Sequence, residues 1–152
     1  MISGAALGLI LTASQLHWLN VAYDEGQKYG LPHYTQAIIL VESSACIHKT
    51  GDDGRSFGCG QLQVSTARKV CKCNISMERL IRSNGANIRV TAQFLNECFT
   101  SFWPDRARAI YCYNAGIPQA HKASDYQVKH SKYVAKVLWW LKRVQEVKVS
   151  HE

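Results

Sequence analysis

Apolar residues recur at helical spacing along most of the chain. Over residues 16–28 they fall at Leu16, Leu19, Val21 and Ala22, with Tyr23 following. Gly30 and Pro32 then end one helix and open another. The second is predicted over about 33–44, with Ala37, Ile38, Leu40 and Val41 turned inward and Glu42 near its end. Residues 48–60 are rich in Gly, Asp and Lys and carry no period, so they read as an irregular loop with room for a short hairpin in RSFGCGQ.

Beyond the loop, a third helix is predicted over 65–70, and Ser76 is the expected cap of a short helix over 77–81. Asn84 and Gly85 read as a further break. The longest amphipathic pattern follows through Ile88, Val90, Ala92, Phe94, Leu95 and Cys98, up to a stop at Trp103 and Pro104. Asp105 is the expected N-cap of the next helix, which Gly116 terminates. A closing helix over 133–147 carries Val134, Val137, Leu138 and Leu141 on one face. The fold class expected is therefore mainly α, a single helical domain with one small irregular or β-hairpin loop.

Composition narrows the picture. A chain of 152 residues, 47% of them hydrophobic, suits one core. The apolar run from Gly4 to Leu11 sets residues 1–16 apart as a packed N-terminal helix or a weak export signal without the usual preceding Lys or Arg, leaving 17–152 as the domain. The net charge of +7 favours an acidic partner, but the basic residues are scattered until the last helix, so no nucleic-acid site is expected. Six cysteines are too sparse for a disulfide scaffold. Buried free thiols are the expectation, with one or two disulfides if the chain matures outside the cytoplasm. Cys71 and Cys73 lack zinc-knuckle spacing and no His pair joins them, so neither a metal nor a cofactor is expected.

Glu42 is the residue on which chemistry converges. It follows the apolar run 37–41, where burial would disfavour its charged form and suit it to donate a proton. The glycines of SFGCGQLQ let backbone approach a ligand, which outlines a cleft. Cys46 follows Glu42 by a helical turn, but no His is spaced to activate it as a nucleophile. His33, His48, His121 and His130 show no partner pattern and read as surface residues.

Four motifs in this order resemble the soluble lytic transglycosylase and goose-type lysozyme family of peptidoglycan-cleaving enzymes. Glu42-Ser43 looks like the family's catalytic Glu-Ser. GCGQLQVSTA, residues 58–67, is similar to G-L-M-Q-V-M-P-x-T-A, and Asn87-Ile88 through Phe94-Leu95 to N-I-x-x-G-x-x-Y-L. AIYCYNAG, residues 109–116, resembles A-L-A-A-Y-N-A-G, with YVAKVL, residues 133–138, matching the closing Y-V-x-x-V-L. Together they cover about residues 17–142.

The resemblance implies a lysozyme-like α+β fold, Glu42 as general acid and base, and substrate contacts from Ser43, Gln61, Tyr113, Asn114 and Tyr133; for Tyr133, core packing stays open as an alternative. Asp52 resembles a loop aspartate that positions water in goose-type hydrolases, with Asp53 beside it, although Asp in a Gly-rich loop also serves turn chemistry. The family's second such position is Gln63 here. Gly60 stands in place of the usual Met and Ala45 in place of an aromatic, departures expected to thin the apolar wall of the sugar groove, and Thr91 in place of Gly is expected to change the packing of two helices. Lytic transglycosylase chemistry is the reading favoured, with hydrolysis or a weakly active wall-binding protein as alternatives. The partner implied is the peptidoglycan glycan strand, met by a monomer in the cell envelope or periplasm, or by a phage lysin or virion protein; membrane or virion association stays open.

Overall fold

The computed structural model describes residues 11–51 and 54–146. The run Gly4 to Leu11 therefore lies almost wholly outside the described residues, as do Asp52, Asp53 and Val147. Among the described residues nine helices and two short strands follow one another: α1 (Ala13–Gln27), α2 (Pro32–Ser43), β1 (Thr50–Gly51), β2 (Ser56–Phe57), α3 (Val64–Cys71), α4 (Met77–Arg82), α5 (Asn84–Phe102), α6 (Arg106–Ala115), α7 (Ile117–Lys122), α8 (Asp125–Lys129) and α9 (Lys132–Glu146). The result is a mainly helical single domain with one small antiparallel hairpin, in which Thr50 pairs with Phe57 and Gly51 with Ser56.

Local signals explain most boundaries. The Thr12 hydroxyl accepts the Gln15 N–H while the Gln15 side chain returns to the Thr12 N–H, a reciprocal box that starts α1. Ser76 accepts from the Arg79 N–H and Asp105 from the Arg108 N–H, as their positions predict. Gly116, at φ 87°, closes α6 in a conformation that a Cβ would strain. α5 is the central pillar. Ile88, Leu95 and Cys98 on it are fully buried against Ile38 of α2, Ile110 of α6 and Val137 of α9 or against the second cluster, where Leu19 and Ala22 of α1 meet Ile39 and Val144.

Two expectations are corrected, and one stretch without an expected element gains two helices. Asn84 and Gly85 do not break the chain; they open α5, because the Ser83 hydroxyl accepts the Ala86 N–H and caps the new helix one residue after α4 ends. Two short helices, α7 and α8, occupy a stretch with no apolar period, the second started by a Ser124–Gln127 box. The cysteines are not free thiols. They form Cys46–Cys59, Cys71–Cys73 and Cys98–Cys112, brought together by the turn after α2, by the left-handed Lys72 and by α5 packing on α6. Three disulfides point to an oxidising, extracytoplasmic compartment. Among the described residues no helix is long and apolar enough to cross a membrane.

Candidate active site

The site is built at the C-terminal end of α2. Ala37 to Leu40 are buried, and Glu42, two residues later, is half-buried at the surface of a cleft. Immediately after it the chain enters the left-handed region at three successive residues, Ser44 (φ 52°), Ala45 (φ 56°) and Cys46 (φ 72°). For residues with a Cβ this costs about 1–2 kcal/mol apiece. The surroundings hold it in place. The buried Ser43 hydroxyl accepts the Cys46 N–H at 2.9 Å and lies 2.7 Å from the Cys59 carbonyl, and the Cys46–Cys59 disulfide spans the same gap. Glu42 is thus fixed by a turn strapped to the loop opposite.

That loop is positioned by one residue of α5. Asn87 is fully buried; its Oδ1 accepts the Gly60 N–H at 2.8 Å, and its Nδ2 donates to the Phe57 carbonyl at 2.9 Å and the Leu80 carbonyl at 3.1 Å. Gly58, at φ 75°, allows the close approach, since a Cβ there would lie 2.0 Å from Asn87 Nδ2. The Tyr113 hydroxyl of α6 donates to the Gly60 carbonyl at 2.8 Å, so both backbone groups of Gly60 are held by side chains. The Gln61 side chain donates to the Gly58 carbonyl at 2.9 Å while its residue lines the cleft.

The cleft encloses about 150 Å³ between Glu42, Ser56, Gln61, Leu62, Gln63 and Thr66 on one side and Phe94, Tyr113, Asn114, Ala115 and Gly116 on the other. This is below the roughly 300–1,000 Å³ of pockets that swallow a small ligand. Glu42 is the sole carboxylate among the described lining residues. Tyr133, from the start of α9, donates its hydroxyl to Glu42 Oε1 at 2.5 Å. Burial, reinforced by the negative charge of Glu42, holds the phenols of both Tyr113 and Tyr133 well above the usual tyrosine range. Both therefore remain hydrogen-bond donors throughout neutral and mildly alkaline conditions.

The structure brings Glu42, Gln61, Tyr113 and Asn114 to one cleft and sets Tyr133 on the carboxylate. Ser43 faces away from it, its hydroxyl spent on backbone. Asp52 and Asp53 lie outside the described residues. The departures at Gly60 and Ala45 leave no hole: Ala45 is buried in the core, and Thr91 fills the space above Gly60, where a Cβ would come within 1.9 Å of Thr91 Oγ1. Cys46, being disulfide-bonded, offers no thiolate nucleophile. Of the histidines read as surface residues, His48, His121 and His130 are exposed, whereas His33 is half-buried against Gln36 and Tyr23. Asn87 was not singled out as a site residue, because a polar side chain inside a helical repeat gives no sign that it faces inward. Thr66, Leu62 and Phe94 lie inside the family-like motifs, where the resemblance assigned them no role.

The family model described as the transglycosylase SLT domain matches residues 20–135, a span that includes every cleft residue and Tyr133. The chain belongs to the transglycosylase SLT domain family. No match among curated proteins accompanies it. Membership of the SLT family implies binding of peptidoglycan and its cleavage in the lytic-transglycosylase manner. The SLT match ends just after the residue that bonds Glu42, so the rest of α9 lies beyond it.

Proposed function

We propose that this SLT domain is a lytic transglycosylase that cleaves the β-1,4 bond between N-acetylmuramic acid and N-acetylglucosamine, with Glu42 as its acid and then its base. The observation that carries the reading is a single described carboxylate at the cleft, braced by a phenol that stays protonated. Protonated Glu42 gives its proton to the glycosidic oxygen, and the N-acetylglucosamine 4-hydroxyl departs as the muramic C1 takes on oxocarbenium character. The carboxylate then removes the proton from the same muramic acid's 6-hydroxyl as that oxygen bonds to C1. A 1,6-anhydro ring forms, the acid is regenerated and no water is consumed. Gln61 and Asn114 offer amide donors and acceptors along the groove, and Tyr113 holds the Gly60 backbone beside it. The side chain of Gln63 occupies the cleft where a hydrolase would favour a carboxylate to position water.

Digestion of purified peptidoglycan followed by mass analysis tests this directly. The expected products are lighter by one water than hydrolytic muropeptides. Glu42→Gln should abolish them while leaving the fold intact, because the amide keeps the shape and loses the transferable proton. Dominant reducing-end muramic acid, lost in Asp52→Asn or Asp53→Asn, would instead establish a goose-type hydrolase. Undiminished lysis by a folded Gln variant would remove Glu42 from its role.

A further inference from the structure

The outward face of α9 carries a tryptophan ringed by cations. Val134, Val137, Leu141 and Val144 turn into the core, and Trp139, on the opposite side of the helix, is 47% exposed. Its neighbours one turn to either side are Ala135, Lys136, Lys142 and Arg143, with Lys132 a further turn back. Leu138, 43% exposed, extends the apolar surface along one edge. The Arg143 guanidinium stacks 3.1 Å from the centre of the Trp139 ring and donates to the Trp139 carbonyl at 3.2 Å, and Trp140 meets the same indole edge-on at 4.8 Å. The indole is thus held outward in one position, with its ordering cost already met. Elsewhere among the described residues the exposed large apolar side chains stand singly, Ile47 after α2, Met77 on α4, Trp103 after α5 and Tyr126 on α8.

The charge on this face is one-sided. Against Lys132, Lys136, Lys142 and Arg143, α9 sets one carboxylate, Glu146, which Lys142 approaches at 3.9 Å in an exposed pair of little worth. No described carboxylate pairs with Lys132 or Lys136. A soluble polyanion would satisfy the lysines but offers nothing to the indole and Leu138. An anionic lipid surface answers both, with phosphates for ammonium groups that snorkel on apolar stems and a headgroup boundary where indole rings settle. From Lys132 to Lys142 the face runs about 15 Å along the helix, enough to lie flat in that boundary. Since no described helix is long and apolar enough to cross a bilayer, the contact is made from one side. We propose that α9 docks the domain on an anionic membrane surface, with Trp139 and Leu138 entering the headgroup boundary and Lys132, Lys136 and Lys142 on the lipid phosphates. No α9 residue lines the cleft, so the docking face and the cleft share no residue.

Sedimentation of the full chain with lipid vesicles tests the docking. Vesicles of phosphatidylcholine with about one third phosphatidylglycerol should bind roughly tenfold or more tighter than phosphatidylcholine alone, and added salt should erase the preference. Each basic residue at such a surface is worth about fivefold in affinity, so Lys132→Gln/Lys136→Gln/Lys142→Gln should weaken binding roughly a hundredfold. Bromine-labelled acyl chains should quench the tryptophan fluorescence of wild type, and Trp139→Ser should lose most of that quenching. Both surface variants should keep the wild-type melting temperature, which separates lost docking from lost fold. Glu42→Gln should bind vesicles as wild type does, and binding by a chain that cleaves no wall would uphold the docking face while the cleavage reading fell alone. Equal binding to the two kinds of vesicle, or quenching unchanged in Trp139→Ser, would overturn the proposal. Lysine-dependent retention of polyphosphate without vesicle binding would make this a site for soluble polyanions and would overturn it equally.

Discussion

Gly60→Ala is the sharpest test of how the loop seats on α5. Gly60 does not sit at positive φ, so the added methyl brings no backbone penalty of its own. The effect comes from space. A Cβ at that position lies 1.9 Å from Thr91 Oγ1, 3.0 Å from Thr91 Cβ and 2.6 Å from the Tyr113 hydroxyl. Thr91 is fully buried in the middle of α5, where its branched side chain has few rotamers to retreat into. Overpacking of this kind costs about 1–3 kcal/mol, and disturbing the bond from Tyr113 to the Gly60 carbonyl adds roughly 1 kcal/mol. A loss of about 2–4 kcal/mol lowers the melting temperature of a domain this size by roughly 5–15 °C. Thr91→Gly removes both threonine contacts and alone should cost about 1 kcal/mol as a helix-interior glycine. In the double variant part of the Gly60→Ala loss should return, giving a coupling of about 1–3 kcal/mol in urea denaturation with the disulfides intact. The Tyr113 contact remains, so recovery is partial. Additivity of the two substitutions to within about 0.5 kcal/mol, or an unshifted midpoint for Gly60→Ala, would refute the reasoning.

Asn87→Ala should cost roughly 3–5 kcal/mol, since it strands the Gly60 N–H and two carbonyls in a dry interior; thermal denaturation reads the loss, and wall lysis should fall with it. Tyr133→Phe removes a hydrogen bond to a carboxylate, worth about 1.5–3 kcal/mol, and should lower kcat/KM about tenfold or more. Because that bond favours the charged form of Glu42, the alkaline limb of the pH profile should move upward in the Phe variant, and an unmoved limb would detach Tyr133 from the acid. Alkaline titration should leave two of the seven tyrosines as phenols at a pH where the unfolded chain has ionised all of them. Their raised folded values make their share of stability complete below about pH 10 and progressively lost above it, which denaturant midpoints measured across that window should follow.

The helices that carry the site were legible because their signals are local. The run 37–41 placed Glu42, and Ser76, Asp105 and Gly116 each punctuated the chain where residue chemistry says they must. What stayed hidden depends on partners far away in sequence. Ser83 outbid the Asn84-Gly85 pair as a boundary only because α4 ends against it. Gly60 and Thr91 read as two separate departures from the family pattern, yet they are one accommodation, a side chain on the helix occupying room that the loop gives up. Tyr133 could not be told from a core residue until 91 positions of intervening chain brought it to Glu42. The cysteine pairings were likewise set by packing that no spacing rule contains.

The strap at Cys46–Cys59 makes the shape of the cleft depend on redox conditions. The same bond that holds the left-handed turn after Glu42 also anchors the loop bearing Gly60 and Gln61, while Cys98–Cys112 ties together the two helices that supply Phe94 and Tyr113. Both walls of the cleft are thus clasped by sulfur. Reduction of Cys46–Cys59 and Cys98–Cys112 is therefore expected to loosen both walls at once, and wall lysis measured with and without a thiol reductant should fall together with the melting temperature.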